Sequence, residues 1–270
     1  MEQLVKIKID TVTLVGVMGM PERATGVVLF AHGSGSSRLS PRNTYVATVL
    51  QQAGIGTLLF VLLTSEEDRV YERRFDINLL AKRLVQATDW LASRSEAQGK
   101  GLGYFGASTG AAAALQGAAR QGTNIKAVVS RGGRPDLAMP FLEKVLAPTL
   151  LIVGGLDSDV LELNNLAFNR LAAVKELAVV PGATHLFEEP GTLACAVAIA
   201  IKTLVPEGTD FVTVEINLKF LAAVREGVVR AEARAIPQDE RKIAGEADVF
   251  SGDVKVAQFK AFFIVKKRPD

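Results

Sequence analysis

The five residues Gly106-Ala107-Ser108-Thr109-Gly110 constrain this chain more than any other stretch, because an apolar run, Gly101 to Phe105, leads into them and an alanine-rich stretch, Ala111 to Arg120, leads out. The run before them reads as a buried strand and the stretch after them as a helix. A strand that turns into a helix this sharply leaves no room for side chains where the backbones pass, so glycine is required on both sides. The residue at the apex, Ser108, is pushed out above the sheet edge. That arrangement is a nucleophile elbow.

A serine hydroxyl is a weak nucleophile until an imidazole accepts its proton and a carboxylate fixes the tautomer of that imidazole. On a sheet of this kind the acid and the base follow the serine in chain order, each on a loop after a later strand. The chain has two histidines, His32 and His185, and only His185 lies beyond Ser108. It falls in Pro181-Gly182-Ala183-Thr184-His185-Leu186-Phe187, directly after the apolar run Leu177 to Val180. The acid has a matching place. Pro148 to Val153 reads as a buried strand, and Gly154-Gly155-Leu156-Asp157 carries a carboxylate off its end, with Asp159 as the near rival.

A fourth component follows the strand-like run Val27 to Ala31, namely the loop His32-Gly33-Ser34-Gly35-Ser36-Ser37. Glycines there let backbone N–H groups turn toward the nucleophile, and the residue after the serine supplies a second N–H. Ser34 and Thr109 are the expected oxyanion donors. The loop lacks the lysine of a phosphate-binding loop and the spacing of a dinucleotide fingerprint. His32 precedes the serine, so its expected part is to anchor this loop by hydrogen bonds.

Three stretches carry a family resemblance: Phe30-Ala31-His32-Gly33-Ser34-Gly35-Ser36-Ser37, Gly103-Tyr104-Phe105-Gly106-Ala107-Ser108-Thr109-Gly110, and Pro181 through Gly191. On these, residues 1 to about 204 resemble the dienelactone hydrolase-like branch of the α/β-hydrolases. The resemblance implies cleavage of carboxylic esters or lactones through an acyl-enzyme, with no cofactor and no metal. Serine stands where dienelactone hydrolases proper use cysteine, so their substrate does not carry over. Val61 stands where relatives often place an acidic residue.

Composition fits a packed enzyme. With 270 residues, 49% of them hydrophobic, and a formal net charge of +2, the chain can bury a large core and has no strong electrostatic attraction to nucleic acid. Cys195, the single cysteine, excludes an internal disulfide and makes a reducing compartment the default. Met1 to Asp10 alternates like an edge strand and lacks the apolar region of a signal peptide, and no apolar run is long enough to span a membrane. A cytoplasmic location is expected.

Between the strands, Arg42 to Ala53, Phe75 to Ser95 and Leu161 to Ala173 show helical spacing of apolar residues. Alternating strands and helices predict a mostly parallel, doubly wound α/β sheet covered on both faces. The interval from Ser130 to Pro148 has room for one short helix and no lid, which predicts an open site for small or water-soluble substrates. Arg131 and Arg134 lie there at a strand end, placed either to pair with a substrate carboxylate or to pair with Asp136 or another surface acid.

The pattern changes after Leu204. Phe211 to Phe220 alternates strictly, Val229 to Ala235 repeats the alternation, and Lys242 to Phe250 and Val254 to Lys266 continue it, with turns at Glu226-Gly227, Pro237-Gln238-Asp239 and Ser251-Gly252-Asp253. Four such strands predict an antiparallel meander with one apolar face, which needs a cover. The nearest candidate is the helix expected at 192–204, apolar nearly all round, so that one helix would serve both the hydrolase sheet and the meander. Leu204 to Thr209, Val212 to Leu221 and Arg230 to Arg234 are similar to the later part of a hotdog-fold thioesterase of the phenylacetate-pathway type. The first strand and the His-Gly-Gly segment of that family are absent, and Cys195 occupies the position of its catalytic acid. Two family patterns meeting in one helix suggest a recombined or engineered chain. Hotdog domains commonly pair, and an incomplete sheet exposes an edge, which predicts a homodimer through the C-terminal strands. Three readings of function follow: a serine esterase or lactonase, an acyl-CoA thioesterase, and a non-catalytic scaffold.

Overall fold

A computed structural model of the protein describes residues 2–196, 210–220, 229–237, 242–251 and 253–266. The chain divides into two compact units, Met1–Leu204 and Val205–Asp270. In the first unit, β1 (Glu2–Ile9) and β2 (Val12–Gly19) form a hairpin, followed by β3 (Gly26–Ala31), α1 (Pro41–Gln52), β4 (Gly56–Phe60), α2 (Ser65–Asp68) and α3 (Ile77–Ala92). Then come β5 (Gly101–Ala107), α4 (Thr109–Gln121), β6 (Ile125–Arg131), β7 (Thr149–Gly154), α5 (Ser158–Arg170) and β8 (Lys175–Val180). They build one eight-stranded sheet in the order β1-β2-β4-β3-β5-β6-β7-β8. From β4 to β8 every neighbouring pair is parallel, while β2 joins both β1 and β4 antiparallel. The mostly parallel sheet expected from the sequence is therefore present. Val12–Gly19 is a strand that the sequence reading left unassigned.

Both faces of the sheet are covered, and β3 shows how. Val27, Leu29 and Ala31 enter the core shared with α3, α4 and α5, whereas Val28 and Phe30 enter the core shared with α1 and the start of the helix at residue 192. Alternate side chains of a strand point to opposite faces, so a strand with helices on both sides must be apolar throughout. Each fully buried Val, Leu or Phe contributes on the order of 1.5–3 kcal/mol of transfer free energy, which fixes the register of the central strands. Connections leave the sheet at the C-terminal ends of the parallel strands, and the candidate site lies there. The segment between β6 and β7 carries a 3-10 helix, Pro135–Lys144.

Strands β9 (Asp210–Phe220), β10 (Val229–Pro237), β11 (Lys242–Ser251) and β12 (Val254–Lys266) form the second sheet, antiparallel throughout. Its order is β10-β11-β12-β9, which corrects the expected meander: β9 lies beside the last strand, Phe220 opposite Ala257, and not beside β10. Connection length explains the difference. Residues 238–241 and 252–253 are short enough for hairpins, whereas residues 221–228 allow β9 to pair elsewhere. Of the helix expected at 192–204, residues 192–196 are described, and Ala196 is buried with Val180 and Phe187. Residues 197–204, and with them the proposed sharing of that helix, lie outside the described residues, as does the turn at Glu226-Gly227. No helix among the described residues is long and apolar enough to cross a membrane.

Candidate active site

Ser108 ends β5 and begins α4 with φ 50° and ψ −124°, a conformation that non-glycine residues rarely adopt. Such strain costs about 1–3 kcal/mol and persists only where neighbours over-determine it. Here they do. A Cβ on Gly106 would stand 2.4 Å from the Cα of Ala111, and one on Gly110 would stand 2.1 Å from the carbonyl oxygen of Ala31, so strand and helix pass at backbone contact. The segment after β6 holds the apex from the other side: Ser108 N–H donates to the Arg131 carbonyl at 3.4 Å, and Arg134 N–H donates to the Ser108 carbonyl at 3.0 Å.

From that apex the Ser108 Oγ faces His185 Nε2 at 3.3 Å, and His185 Nδ1 faces Asp157 Oδ2 at 2.7 Å. A carboxylate only accepts, so Nδ1 carries the proton toward Asp157 and Nε2 presents a lone pair to the serine hydroxyl. Asp157 is the N-cap position of α5 yet makes no side-chain cap bond, leaving its oxygens for the imidazole. Asp159 is the second residue of α5 and, among the described residues, accepts only from the Ser158 hydroxyl, at 3.4 Å. Gly132 packs against the histidine loop: a Cβ there would meet the His185 carbonyl oxygen at 2.9 Å.

The loop after β3 approaches the nucleophile closely, since a Cβ on Gly33 would lie 2.9 Å from the Cβ of Ser108. Thr109 N–H is the first of α4 and so lacks an intrahelical acceptor. Ser34 N–H is engaged otherwise: it donates to the Thr109 hydroxyl at 3.0 Å. To serve as the expected oxyanion donor, this N–H would have to leave that hydroxyl. His32 is held at both nitrogens. Its Nδ1–H donates to the Gly33 carbonyl at 3.0 Å and its Nε2 accepts from Leu62 N–H at 3.3 Å, so it ties the loop after β3 to the loop after β4. Burial lowers its pKa, which keeps the ring neutral in that role.

The two arginines differ. Arg134 forks onto Asp136 with two bonds of 2.8 Å, the surface ion pair of the two arrangements expected for it. Arg131 is buried at 7% exposure between the rings of Phe105 and Phe187, donates to Asn43 Oδ1 at 3.4 Å, and its Nη1 has no partner among the described residues. Desolvation, helped by the nearby Arg42, pushes its pKa down to about 10, so it keeps its charge at neutral pH.

One contributor escaped the sequence reading. Asn164, wholly buried in the middle of α5, donates through Nδ2 to the Gly133 carbonyl at 2.9 Å and to the Val160 carbonyl at 2.7 Å. It thereby pins the segment 131–134 that clamps Ser108. A polar side chain on the apolar face of an amphipathic helix was the available signal.

The model of the dienelactone hydrolase family matches residues 48–205, more than half of the chain. The chain belongs to the dienelactone hydrolase family. A solved dienelactone hydrolase from Anabaena variabilis ATCC 29413 is 54% identical, covers 76% of this chain and 96% of its own length, and superposes with a TM-score of 0.73. Est1E from Butyrivibrio proteoclasticus, solved with ferulic acid bound, is 14% identical over 74% of this chain and 99% of its own, TM-score 0.64, and shows the shared fold alone. Two Mycobacterium tuberculosis proteins, from strains CDC 1551 / Oshkosh and ATCC 25618 / H37Rv, carry the name phosphoribosyl transferase and are each 57% identical over 192 residues. That match takes in 71% of this chain but 43% of theirs, so the chain spans less than half the length of these curated relatives. A thioesterase superfamily model matches residues 193–258, a smaller likeness that overlaps the first at residues 193–205.

Proposed function

We propose that this member of the family is a serine hydrolase that cleaves small carboxylic esters or lactones through an acyl-enzyme. The observation that carries the reading is the continuous chain from hydroxyl to imidazole to carboxylate, 3.3 Å and 2.7 Å, built on a strained serine. Ser108 Oγ attacks the ester carbonyl while its proton passes to His185 Nε2. Asp157 stabilises the imidazolium, and the alkoxide charge that develops on the carbonyl oxygen is met by Thr109 N–H and by Ser34 N–H. His185 then protonates the leaving oxygen, the carbonyl reforms as a Ser108 ester, and water deprotonated by His185 releases the acid. No step requires a metal or an organic cofactor. Arg131, enclosed by Phe105 and Phe187, is assigned to holding the histidine loop against β5.

Hydrolysis of p-nitrophenyl acetate by the full chain tests this reading. A burst of one p-nitrophenol per chain, followed by slower turnover, is expected of an acyl-enzyme, and a linear time course at the rate of the Ser108→Ala variant would contradict it. The thioesterase likeness at residues 193–258 favours one second reading, acyl-CoA hydrolysis. It requires kcat/KM for acetyl-CoA to exceed that for the p-nitrophenyl ester. The edge strands β10 and β9 support a further proposal, self-association through the C-terminal sheet, which a light-scattering mass of one chain at high concentration would contradict.

A further inference from the structure

A cleft of about 520 Å³ opens at the same end of the sheet as Ser108 and is not used by the steps above. Its lining includes the hydroxyl-bearing Thr11, Thr13, Ser36, Ser37, Thr64 and Ser65. A second, water-sized hollow shares His32, Leu63 and Asp68 with it and is lined by Ser34 and Thr109, so this smaller hollow lies between the cleft and the oxyanion side of the nucleophile. Its direction follows from strand order. The cleft is built by β2 and by the loops after β3 and β4, whereas Asp157 and His185 follow β7 and β8, on the opposite side of β5. The tetrahedral carbon carries three groups besides Ser108 Oγ: the oxyanion at the Thr109 N–H, the leaving oxygen that must face His185, and the acyl chain. The acyl chain is the group left to extend toward the cleft.

The chemistry of the walls then selects the acyl group. Ser37 accepts from Leu39 N–H and Thr64 from Glu67 N–H, but among the described residues the hydroxyls of Thr11, Thr13, Ser36 and Ser65 have no protein partner. Each hydroxyl can donate once and accept twice, which suits a ligand that itself presents hydroxyls. Charge works against an anion. Among the described residues no lysine or arginine lines the cleft, Glu66 and Asp68 do, and Arg74 at the smaller hollow is committed to Asp68 at 3.0 Å. Val12, Val15, Val61 and Leu63 supply a limited apolar floor.

We infer that this cleft receives the acyl half of an uncharged, polyhydroxylated ester or lactone, an inference that rests on the serine hydrolase reading and names its substrate class. Methyl gluconate and methyl hexanoate share a six-carbon acyl chain and differ in its hydroxyls, while methyl hydrogen succinate adds a carboxylate. The kcat/KM for methyl gluconate is expected to exceed both by about tenfold or more, the worth of one or two hydrogen bonds. In Thr13→Val and Ser36→Ala that preference should fall about 2- to 10-fold each, the range of a single hydrogen bond. Turnover of p-nitrophenyl acetate, whose acyl group is too short to reach the cleft, should stay at the wild-type value and so report an intact fold. Equal rates for gluconate and hexanoate, or a preference unchanged by both substitutions, would overturn the inference while leaving the hydrolase intact. Saturation-transfer NMR of methyl gluconate on Ser108→Ala decides the matter without turnover. Contacts to the hydroxylated carbons that weaken in Ser108→Ala/Thr13→Val support the cleft, and their absence in Ser108→Ala overturns it whether or not any ester is cleaved.

Discussion

Asp157 and Asp159 stand two positions apart, and their surroundings diverge because Asp157 precedes α5 while Asp159 lies within it. The carboxylate of Asp157 reaches His185 at 2.7 Å, while Asp159 is carried away by the first turn of α5. Asp157→Asn should therefore lower kcat by about 10⁴-fold, the cost of the wrong imidazole tautomer, with KM little changed. Asp159→Asn should leave steady-state ester kinetics within twofold, and equal losses in the two variants would contradict the assignment. His32 gives a pH prediction. Burial lowers its pKa below the ordinary value of about 6.5, so on acidification the unfolded chain takes up the proton first. Stability from this group is intact above about pH 6.5 and declines as pH falls from there toward the lowered folded-state value. Urea unfolding at pH 8 and pH 5.5 should show a loss that is smaller in His32→Gln, and an equal loss in that variant would refute the role. Among the described residues Arg131 is a buried cation with no carboxylate partner, so Arg131→Met, which keeps the apolar contact that joins Phe187 of the histidine loop to Phe105 of β5 and removes the charge, should unfold within about 1 kcal/mol of the wild type. A larger loss would mean that the guanidinium stabilises the loop more than its desolvation costs.

The elbow and the segment 131–134 act as one element, since each supplies a hydrogen bond to the other's backbone. Asn164 holds that segment from α5, and Asn164→Leu should reduce kcat about 10- to 100-fold with a small change in KM, because displacement of reacting groups by about 1 Å costs that much. A KM effect with unchanged kcat would place Asn164 in binding instead. Gly110→Ala, with its Cβ 2.1 Å from the Ala31 carbonyl, should destabilise the fold by about 3 kcal/mol or more. The elbow was legible because a strand, a helix and two glycines leave a single solution in the turn between them. The alternation in Phe211 to Phe220 was legible for the same local reason. Pairing partners were less so: β9 beside β12 is a non-local choice set by the length of the connection to β10, which periodicity does not encode. Val12–Gly19 escaped because its apolar residues follow a hairpin at Asp10, whose φ of 46° marks a turn that lacks the usual glycine. The Ser34–Thr109 bond was equally out of reach, since it depends on a rotamer 75 positions away.

At the scale of the molecule, the proposed tasks are separated along one sheet. In the proposed mechanism the loops after β7 and β8 carry acid and base and the end of β5 carries the nucleophile, while β2 and the loops after β3 and β4 bound the cleft proposed for the acyl group. The central claim is that Ser108 is an activated nucleophile in the intact protein, and whole-chain mass spectrometry after exposure to a fluorophosphonate measures it most directly. A single adduct that maps to the peptide containing Ser108, and that is lost in both Ser108→Ala and His185→Ala, is the predicted result. An unmodified mass under conditions that label a known serine hydrolase to completion, or an adduct that survives in Ser108→Ala, would contradict it.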